Sequence, residues 1–179
     1  MTLEQRHLLI TGLPGTGKTT LLVELVRRFA RFAPAGFYTE EVRERGERRG
    51  FRLTSLNGRE GILADVTFGG PCRVGRYGVD VKGFETFLAS LDLPSHPSQL
   101  VFIDEIGKME CLSPLFVRLA GTLLASEKTV VATIARQGEG LIREVKERSD
   151  CRLVEVTPAN RQALPNELSR WLEEHVAGC

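Results

Sequence analysis

The apolar positions near the start of the chain form a short run, Leu8 to Thr11, that breaks into a Gly-rich turn. From Lys18 to Phe32 they recur at helical spacing, through Leu21, Leu22, Leu25, Val26 and Phe29. That change of period predicts a strand, a loop and a helix. Pro34 and Gly36 stop the helix, and Phe37 to Val42, with aromatic and β-branched residues, predicts a second strand. The texture then shifts: Arg43 to Gly50 is charged and carries two glycines. Phe51 to Leu56 faces Arg59 to Val66 across Asn57-Gly58, a pair that tolerates the positive φ of a two-residue hairpin. Val74 to Val81 predicts one more strand, so residues about 43–81 read as an antiparallel hairpin insertion. Phe84 to Leu91 predicts a helix ended by the loop from Pro94 to Pro97.

The second half alternates regularly. Strands are predicted at Leu100 to Ile103, Thr129 to Ile134 and Arg152 to Val156, and helices at Pro114 to Ala125, Leu141 to Glu147 and Arg161 to Val176. Such alternation predicts an α/β fold, a mainly parallel sheet flanked by helices on both faces. With no internal repeat, low-complexity tract or linker, residues 1–179 are expected to form a single domain.

Composition narrows the function classes. At 42% hydrophobic and 26% charged residues the chain suits a globular fold. Lys and Arg total 24 against 23 for Asp and Glu, which offers no broad platform to nucleic acid or to an anionic membrane. No apolar stretch approaches the roughly 18 residues that a membrane span needs. Met1 to His7 is polar and runs straight into the first strand, unlike a secretory signal, so a cytoplasmic location is expected. Cys72, Cys111, Cys151 and Cys179 stand far apart, which predicts reduced thiols, Cys179 exposed at the terminus, rather than a zinc site or disulfides.

The chemistry begins at Gly12-Leu13-Pro14-Gly15-Thr16-Gly17-Lys18-Thr19, which fits G-x-x-x-x-G-K-[ST] between a strand and a helix. Backbone amides and the positive end of the helix there point at one anion, the phosphates of a nucleoside triphosphate. Lys18 is expected to bridge the β and γ phosphates, Thr19 to ligate Mg2+ through its hydroxyl, and Thr20 to sit near the α phosphate. Asp104 and Glu105 follow the apolar strand Leu100 to Ile103, at the strand end where open α/β sheets bind ligands. Asp104 suits a magnesium role, and Glu105 suits orienting and deprotonating the attacking water. Asp104-Glu105-Ile106-Gly107 also satisfies the D-x-x-G pattern of GTP switches, but no N-K-x-D or T-K-x-D segment selects guanine.

Taken with these motifs, Gly36-Phe37-Tyr38-Thr39-Glu40-Glu41-Val42-Arg43, Gly50-Phe51, Arg73-Val74-Gly75-Arg76-Tyr77, Asp104-Glu105-Ile106-Gly107-Lys108-Met109-Glu110 and Asn160-Arg161 resemble the THEP1 nucleoside-triphosphatase family over nearly the whole chain. The resemblance implies a RecA-like P-loop core and slow, magnesium-dependent hydrolysis of several nucleoside triphosphates to diphosphate and phosphate.

Several further residues in these segments have two readings each. Arg43 is a candidate to face the γ phosphate and neutralise charge that builds up in transfer; Arg45, Arg48, Arg49 and Arg52 read as a solvated turn. Glu40 and Glu41 either bind metal-held water or end a strand in solvent. Lys108 either touches a phosphate or pairs with Glu105. Thr133 either senses the γ phosphate or packs in its strand. Asn160 and Arg161 either cover the base, by an amide hydrogen bond and a stacked guanidinium, or begin the last helix, with Asn160 as its cap. His7, His96 and His175 are scattered, and Trp171 reads as core. The leading expectation is hydrolysis of ATP, GTP, CTP and UTP with broad base tolerance. The alternatives are a nucleotide or nucleoside kinase, with its acceptor held by the insertion, and a nucleotide-dependent binding module with slow turnover.

Overall fold

The computed structural model describes residues 5–176. Strand β1 (His7–Thr11) is buried along its whole length, as expected of a parallel strand covered on both faces. Helix α1 (Lys18–Arg28) follows the phosphate loop. It ends four residues earlier than the apolar spacing predicts: a 3-10 turn takes over at Ala30–Phe32, and Ala33 turns left-handed at φ 46°. Then come β2 (Ala35–Glu44), β3 (Glu47–Ser55), β4 (Glu60–Asp65), β5 (Arg73–Val74), β6 (Tyr77–Val79) and α2 (Val81–Leu91). The remainder is β7 (Leu100–Ile106), α3 (Pro114–Ala125), β8 (Thr129–Ile134), α4 (Leu141–Lys146), β9 (Cys151–Glu155) and α5 (Leu164–Val176).

The nine strands among the described residues form one sheet in the order β5-β6-β4-β3-β2-β7-β8-β1-β9. Its right half, β2-β7-β8-β1-β9, is parallel, and its left half is antiparallel. Four of the eight pairings among the described residues are antiparallel, so the expectation of a mainly parallel sheet is corrected. The reason lies in β2. Ala35 to Phe37 pair with β7, after which the strand continues past the end of that ladder and pairs with β3 alone. The segment Arg43 to Gly50, read from sequence only as a change of texture, is therefore the tip of the β2–β3 hairpin. The β3–β4 turn is longer than the two residues Asn57-Gly58: the Ser55 N–H donates to the Arg59 carbonyl, and Leu56 turns back to donate to the Gly36 carbonyl. The predicted strand at Val74 to Val81 is instead the small hairpin β5–β6 followed directly by α2.

Period-two alternation sorts the core onto the two faces of this sheet. Leu8, Ile10, Leu100 and Phe102 pack with Leu22 and Leu25 of α1 and Leu168 and Leu172 of α5. Leu9, Val101 and Ile103 pack on the other side with Phe37, Phe84 of α2 and Phe116 of α3. Burial of these apolar side chains, roughly 1.5–3 kcal/mol each, holds helices to both faces and fixes where the strand ends emerge. Helix α3 starts where Ser113 accepts a hydrogen bond from the Phe116 N–H at 3.0 Å, with Pro114 in the first turn. No helix among the described residues is long and apolar enough to cross a membrane.

Candidate active site

The loop between β1 and α1 lies at the carboxyl ends of the parallel strands. Gly17 caps α1 with φ 98°, a left-handed conformation that glycine adopts without a Cβ clash. The chain then enters the helix with its first N–H groups directed into the loop. The Lys18 ammonium stays inside this loop, donating to the carbonyls of Gly12 at 3.1 Å and Leu13 at 3.3 Å. Thr16 Oγ1 also donates to the Leu13 carbonyl, at 2.8 Å, which holds the turn closed. Leu13 stands out at the tip, half exposed.

Strand β7 delivers the acidic pair. It runs on to Ile106, so Asp104 and Glu105 lie inside the strand rather than beyond its end. The ladder with β8 slips here: Ile103 pairs with Ala132 and Ile106 with Ile134, so one extra residue is accommodated on β7. Such a bulge re-aims side chains, and here it falls on Asp104 and Glu105, whose shared peptide bond is cis.

Asp104, 1% exposed, is the hub of the site. Its Oδ2 accepts from Thr19 Oγ1 at 2.9 Å, Thr39 Oγ1 at 3.1 Å and the Thr39 N–H at 3.2 Å. Its Oδ1 accepts from the Thr133 hydroxyl. Four donors from α1, β2 and β8 thus meet one carboxylate, which offsets the cost of burying its charge. A hydroxyl of the phosphate loop in hydrogen-bond contact with a strand carboxylate is the oxygen donor set that suits a magnesium ion. Thr19 and Asp104 therefore fit the metal role.

Glu105 is half-buried. Burial first, and the neighbouring Asp104 second, raise its carboxyl above the usual range, while Lys18 opposes them. Glu110, 5% exposed, is pushed well above the usual range by its own burial and then by Glu105. The two side chains crowd Gly107 from either side: a β-carbon there would stand 2.5 Å from Glu105 Oε1 and 2.8 Å from Glu110 Oε2. The adjacent Cys111 thiol is raised to about 11, by burial before Glu110 and Glu105.

A cleft of about 830 Å3 opens from the phosphate loop over α1. Gly15, Thr19, Thr20 and Arg27 line one wall, and Tyr38 and Arg161 stand on others. A second cavity, of about 280 Å3, adjoins Glu105, where Thr39, Phe51, Lys108, Met109 and Glu110 line it.

The structure thus brings Lys18, Thr19, Asp104, Glu105 and Thr133 together, and sets Thr20 and Arg161 on the cleft. It does not bring Arg43 to the loop. That guanidinium binds Glu41 twice, at 2.6 and 2.9 Å, and the Gly46 carbonyl at 3.1 Å, at the hairpin tip. Arg48, Arg49 and Arg52 pair with Glu41, Glu44 and Glu40 in the same ribbon. Asn160 does not cap the last helix, which starts at Leu164. Its side-chain oxygen accepts from the Thr157 N–H at 2.8 Å and its amide donates to the Glu155 carbonyl at 2.8 Å, so it braces the turn that presents Arg161. Lys108 is exposed and forms no ion pair with Glu105. Cys72, Cys111 and Cys151 are free thiols, and Cys179 lies outside the described residues. Thr39 and Glu110 fall inside the segments that carry the family resemblance, but the sequence reading gave neither a role of its own. Thr39 is recognisable only once β2 is known to lie beside β7, and Glu110 only once its burial is seen.

Comparison with known proteins identifies the family of the chain. Residues 7–169 match the family described as NTPase. The chain is 44% identical over 162 residues to nucleoside-triphosphatase THEP1 of Thermotoga sp. (strain RQ2), covering 90% of this chain and 92% of that protein. It is 39% identical over 175 residues to the human cancer-related nucleoside-triphosphatase, covering 89% and 92%. The crystal structure of THEP1 from Aquifex aeolicus superposes with a TM-score of 0.83 at 34% identity, covering 93% of this chain and 99% of that one. The solution structure of the human protein gives 0.79 at 36% identity, covering 94% and 98%. A match that spans the phosphate loop, the acidic strand and the antiparallel ribbon alike assigns the chain to the THEP1 nucleoside-triphosphatase family.

Proposed function

We propose that the chain hydrolyses nucleoside triphosphates, ATP, GTP, CTP and UTP among them, to diphosphate and phosphate with Mg2+ and little preference for the base. The observation that carries this reading is the 2.9 Å contact between Thr19 of the phosphate loop and Asp104, with Glu105 the next residue. It supports the reading by joining the phosphate loop to the strand that carries Asp104 and the half-buried Glu105.

Thr19 and Asp104 would hold the magnesium, which when bound neutralises charge on the phosphate oxygens. The loop amides and Lys18 bind the β and γ phosphates. Glu105, whose carboxyl burial and then Asp104 raise above the usual range, orients a water and takes its proton as the water oxygen bonds to the γ phosphorus. The bond from the γ phosphorus to the bridging oxygen breaks, and the diphosphate leaves with the electron pair. Lys18 offsets the charge that accumulates there. Arg43, held by Glu41, has no part in this scheme.

Broad base use is supported by the cleft. Arg161 offers a flat guanidinium that stacks on any base, whereas the Asn160 amide, the group best suited to read a base edge, is spent on its own turn. A cytoplasmic setting is supported by the free thiols.

The competing enzyme reading, phosphoryl transfer to a small acceptor, draws on the cavity beside Glu105, whose volume of about 280 Å3 exceeds a single water. Phosphate release from the four nucleotides with magnesium, with and without nucleoside and nucleotide acceptors, separates the two. Release that ignores acceptors, collapses in Glu105→Gln with nucleotide binding intact, and disappears with binding in Lys18→Ala supports hydrolysis. Negligible release until an acceptor is added sinks it.

A further inference from the structure

Charge gathers on the phosphate oxygens as a phosphoryl group leaves its bridging oxygen, and the donor fork of an arginine is suited to neutralise it. Arg43, tied to Glu41, does not supply that fork, and Arg161 lines the cleft over α1 rather than the cavity beside Glu105. A third arginine, Arg136, emerges where the strands of the site end. Ile10 of β1 pairs with Thr133 of β8, so the chain leaves β8 level with the start of the phosphate loop. Thr133 holds Asp104, Ala135 lines the cavity beside Glu105, and Arg136 comes next. Its Nε stands 3.5 Å from Glu155 Oε1 on β9. In the sheet, β1 lies between β8 and β9. Two strand spacings, roughly 10 Å, separate those strands, so the two side chains meet across the end of β1. Thr11, the last residue of β1 before Gly12, is the register partner of Glu155. The guanidinium therefore lies beside the root of the phosphate loop.

We infer that Arg136 is a catalytic residue of the hydrolysis proposed above, on which this reading rests: its guanidinium leaves Glu155 for the γ phosphate and donates to the oxygens on which charge accumulates. The backbone at this point is anchored and the side chain is not. The Ala135 N–H donates to the Ile106 carbonyl at 3.1 Å, and Lys146 Nζ donates to the Arg136 carbonyl at 2.7 Å. Gly138 lies close against α4, where a β-carbon would stand 2.5 Å from Ile142 Cδ1. The side chains of Arg136 and Glu155, by contrast, are 52% and 48% exposed and approach only to 3.5 Å. An exposed pair of this kind is weak, whereas a phosphate offers the fork several charged acceptors at once, so the exchange favours the phosphate. Lys146, the neighbouring cation, is spent on the Arg136 carbonyl and holds the arginine's root in place.

The test compares Arg136→Ala, Arg136→Lys and Glu155→Gln with the wild type and with Glu105→Gln. Turnover, ATP Kd and Tm are measured for each, together with binding of ADP in magnesium and aluminium fluoride, a mimic of the phosphoryl group in transfer. Arg136→Ala should lower kcat about 100-fold or more while ATP Kd stays within about threefold and Tm is unchanged. Arg136→Lys should recover little of that loss, because an ammonium has no planar fork. Aluminium fluoride should tighten ADP binding in the wild type and not in Arg136→Ala. Glu155→Gln frees the guanidinium and should not lower kcat. A pair that only braced the loop would make Glu155→Gln as slow as Arg136→Ala, and that result overturns the inference. So does a kcat within about threefold of wild type in Arg136→Ala, or in Arg136→Lys should the alanine variant not fold. Glu105→Gln separates the two readings. If it loses turnover while Arg136→Ala keeps it, only the inference about Arg136 fails. If the wild type releases no phosphate from any of the four nucleotides, the hydrolysis reading fails and the inference falls with it.

Discussion

Thr39 gives Asp104 two hydrogen bonds at once, from its N–H at 3.2 Å and its hydroxyl at 3.1 Å, both to Oδ2. It does so two residues past Phe37, the last residue of β2 to pair with β7. Where the parallel ladder stops, a side chain and an amide continue its work and fix the carboxylate that faces Thr19.

Removing that hydroxyl should therefore show in catalysis more than in stability. Thr39→Val keeps the branched shape and the backbone N–H but loses one bond to a charged acceptor, worth about 1.5–3 kcal/mol. We expect kcat/KM to fall about tenfold or more, with the deficit growing as magnesium is lowered, and Thr39→Ser to restore most of it. Steady-state assays across a magnesium series check this. An unchanged kcat/KM in Thr39→Val would mean that Asp104 needs only its other donors.

The two arginines weighed for the nucleotide should separate cleanly. Arg43→Ala breaks an exposed ion pair with Glu41, and such pairs are worth about 1 kcal/mol or less, so kcat and KM should stay within about twofold of wild type. Arg161→Ala removes a cleft wall, and we expect KM to rise about 3- to 10-fold for all four nucleotides with kcat little changed. A large kcat loss in Arg43→Ala would require the β2–β3 hairpin to reorganise when nucleotide binds.

Gly36 is a point at which the sheet tolerates no side chain. Its φ is 131°, and a β-carbon would fall 1.8 Å from the Phe102 carbonyl oxygen on the neighbouring strand. Gly36→Ala should destabilise the fold by about 3 kcal/mol or more, because backbone of two central strands must separate. Urea unfolding reads this as a lowered midpoint at constant m. A cost below about 1 kcal/mol would show that β2 can slide against β7.

His7 should make the fold acid-sensitive. It is buried, Nδ1 accepts from the Val130 N–H at 3.2 Å, and Nε2 faces Asp150 at 3.8 Å. Burial lowers its pKa more than Asp150 raises it, and Arg148 and Arg6 add to the lowering. The folded protein then binds this proton less readily than the unfolded chain. Its contribution is present above the unfolded value of about 6.5 and is lost as pH falls through the lower folded one. Stability of the wild type should decline from pH 7 to pH 5, and His7→Gln should flatten that decline by up to about 1.4 kcal/mol per pH unit. Thermal melts at fixed ionic strength provide the comparison, and parallel curves would place the titration elsewhere.

Much of the molecule could be read from its residues alone because the signals are local. The phosphate loop is a matter of eight consecutive residues whose glycines permit one tight path. Helix α3 and strand β8 begin and end where apolar spacing, Ser113, Pro114 and the run Thr129 to Ile134 say they do. The meeting of the phosphate loop with the acidic strand was expected from the two motifs, and Thr19 reaches Asp104 at 2.9 Å.

Other features depend on which strands become neighbours, and no local period carries that. Asp104 and Thr39 are 65 residues apart in the chain, and only the placement of β2 beside β7 joins them. Half of the pairings among the described residues are antiparallel because β2 runs beyond β7, a matter of relative strand length across the sheet. Arg43 is held by Glu41 because both stand on the projecting ribbon, and Glu110 is buried beside Glu105 because the chain turns back after Gly107. The sequence by itself determined the chemistry available and the local path of the phosphate loop. The tertiary structure decided which charges meet, because burial and distance, which set the strength of every electrostatic contact, exist only once the sheet is assembled.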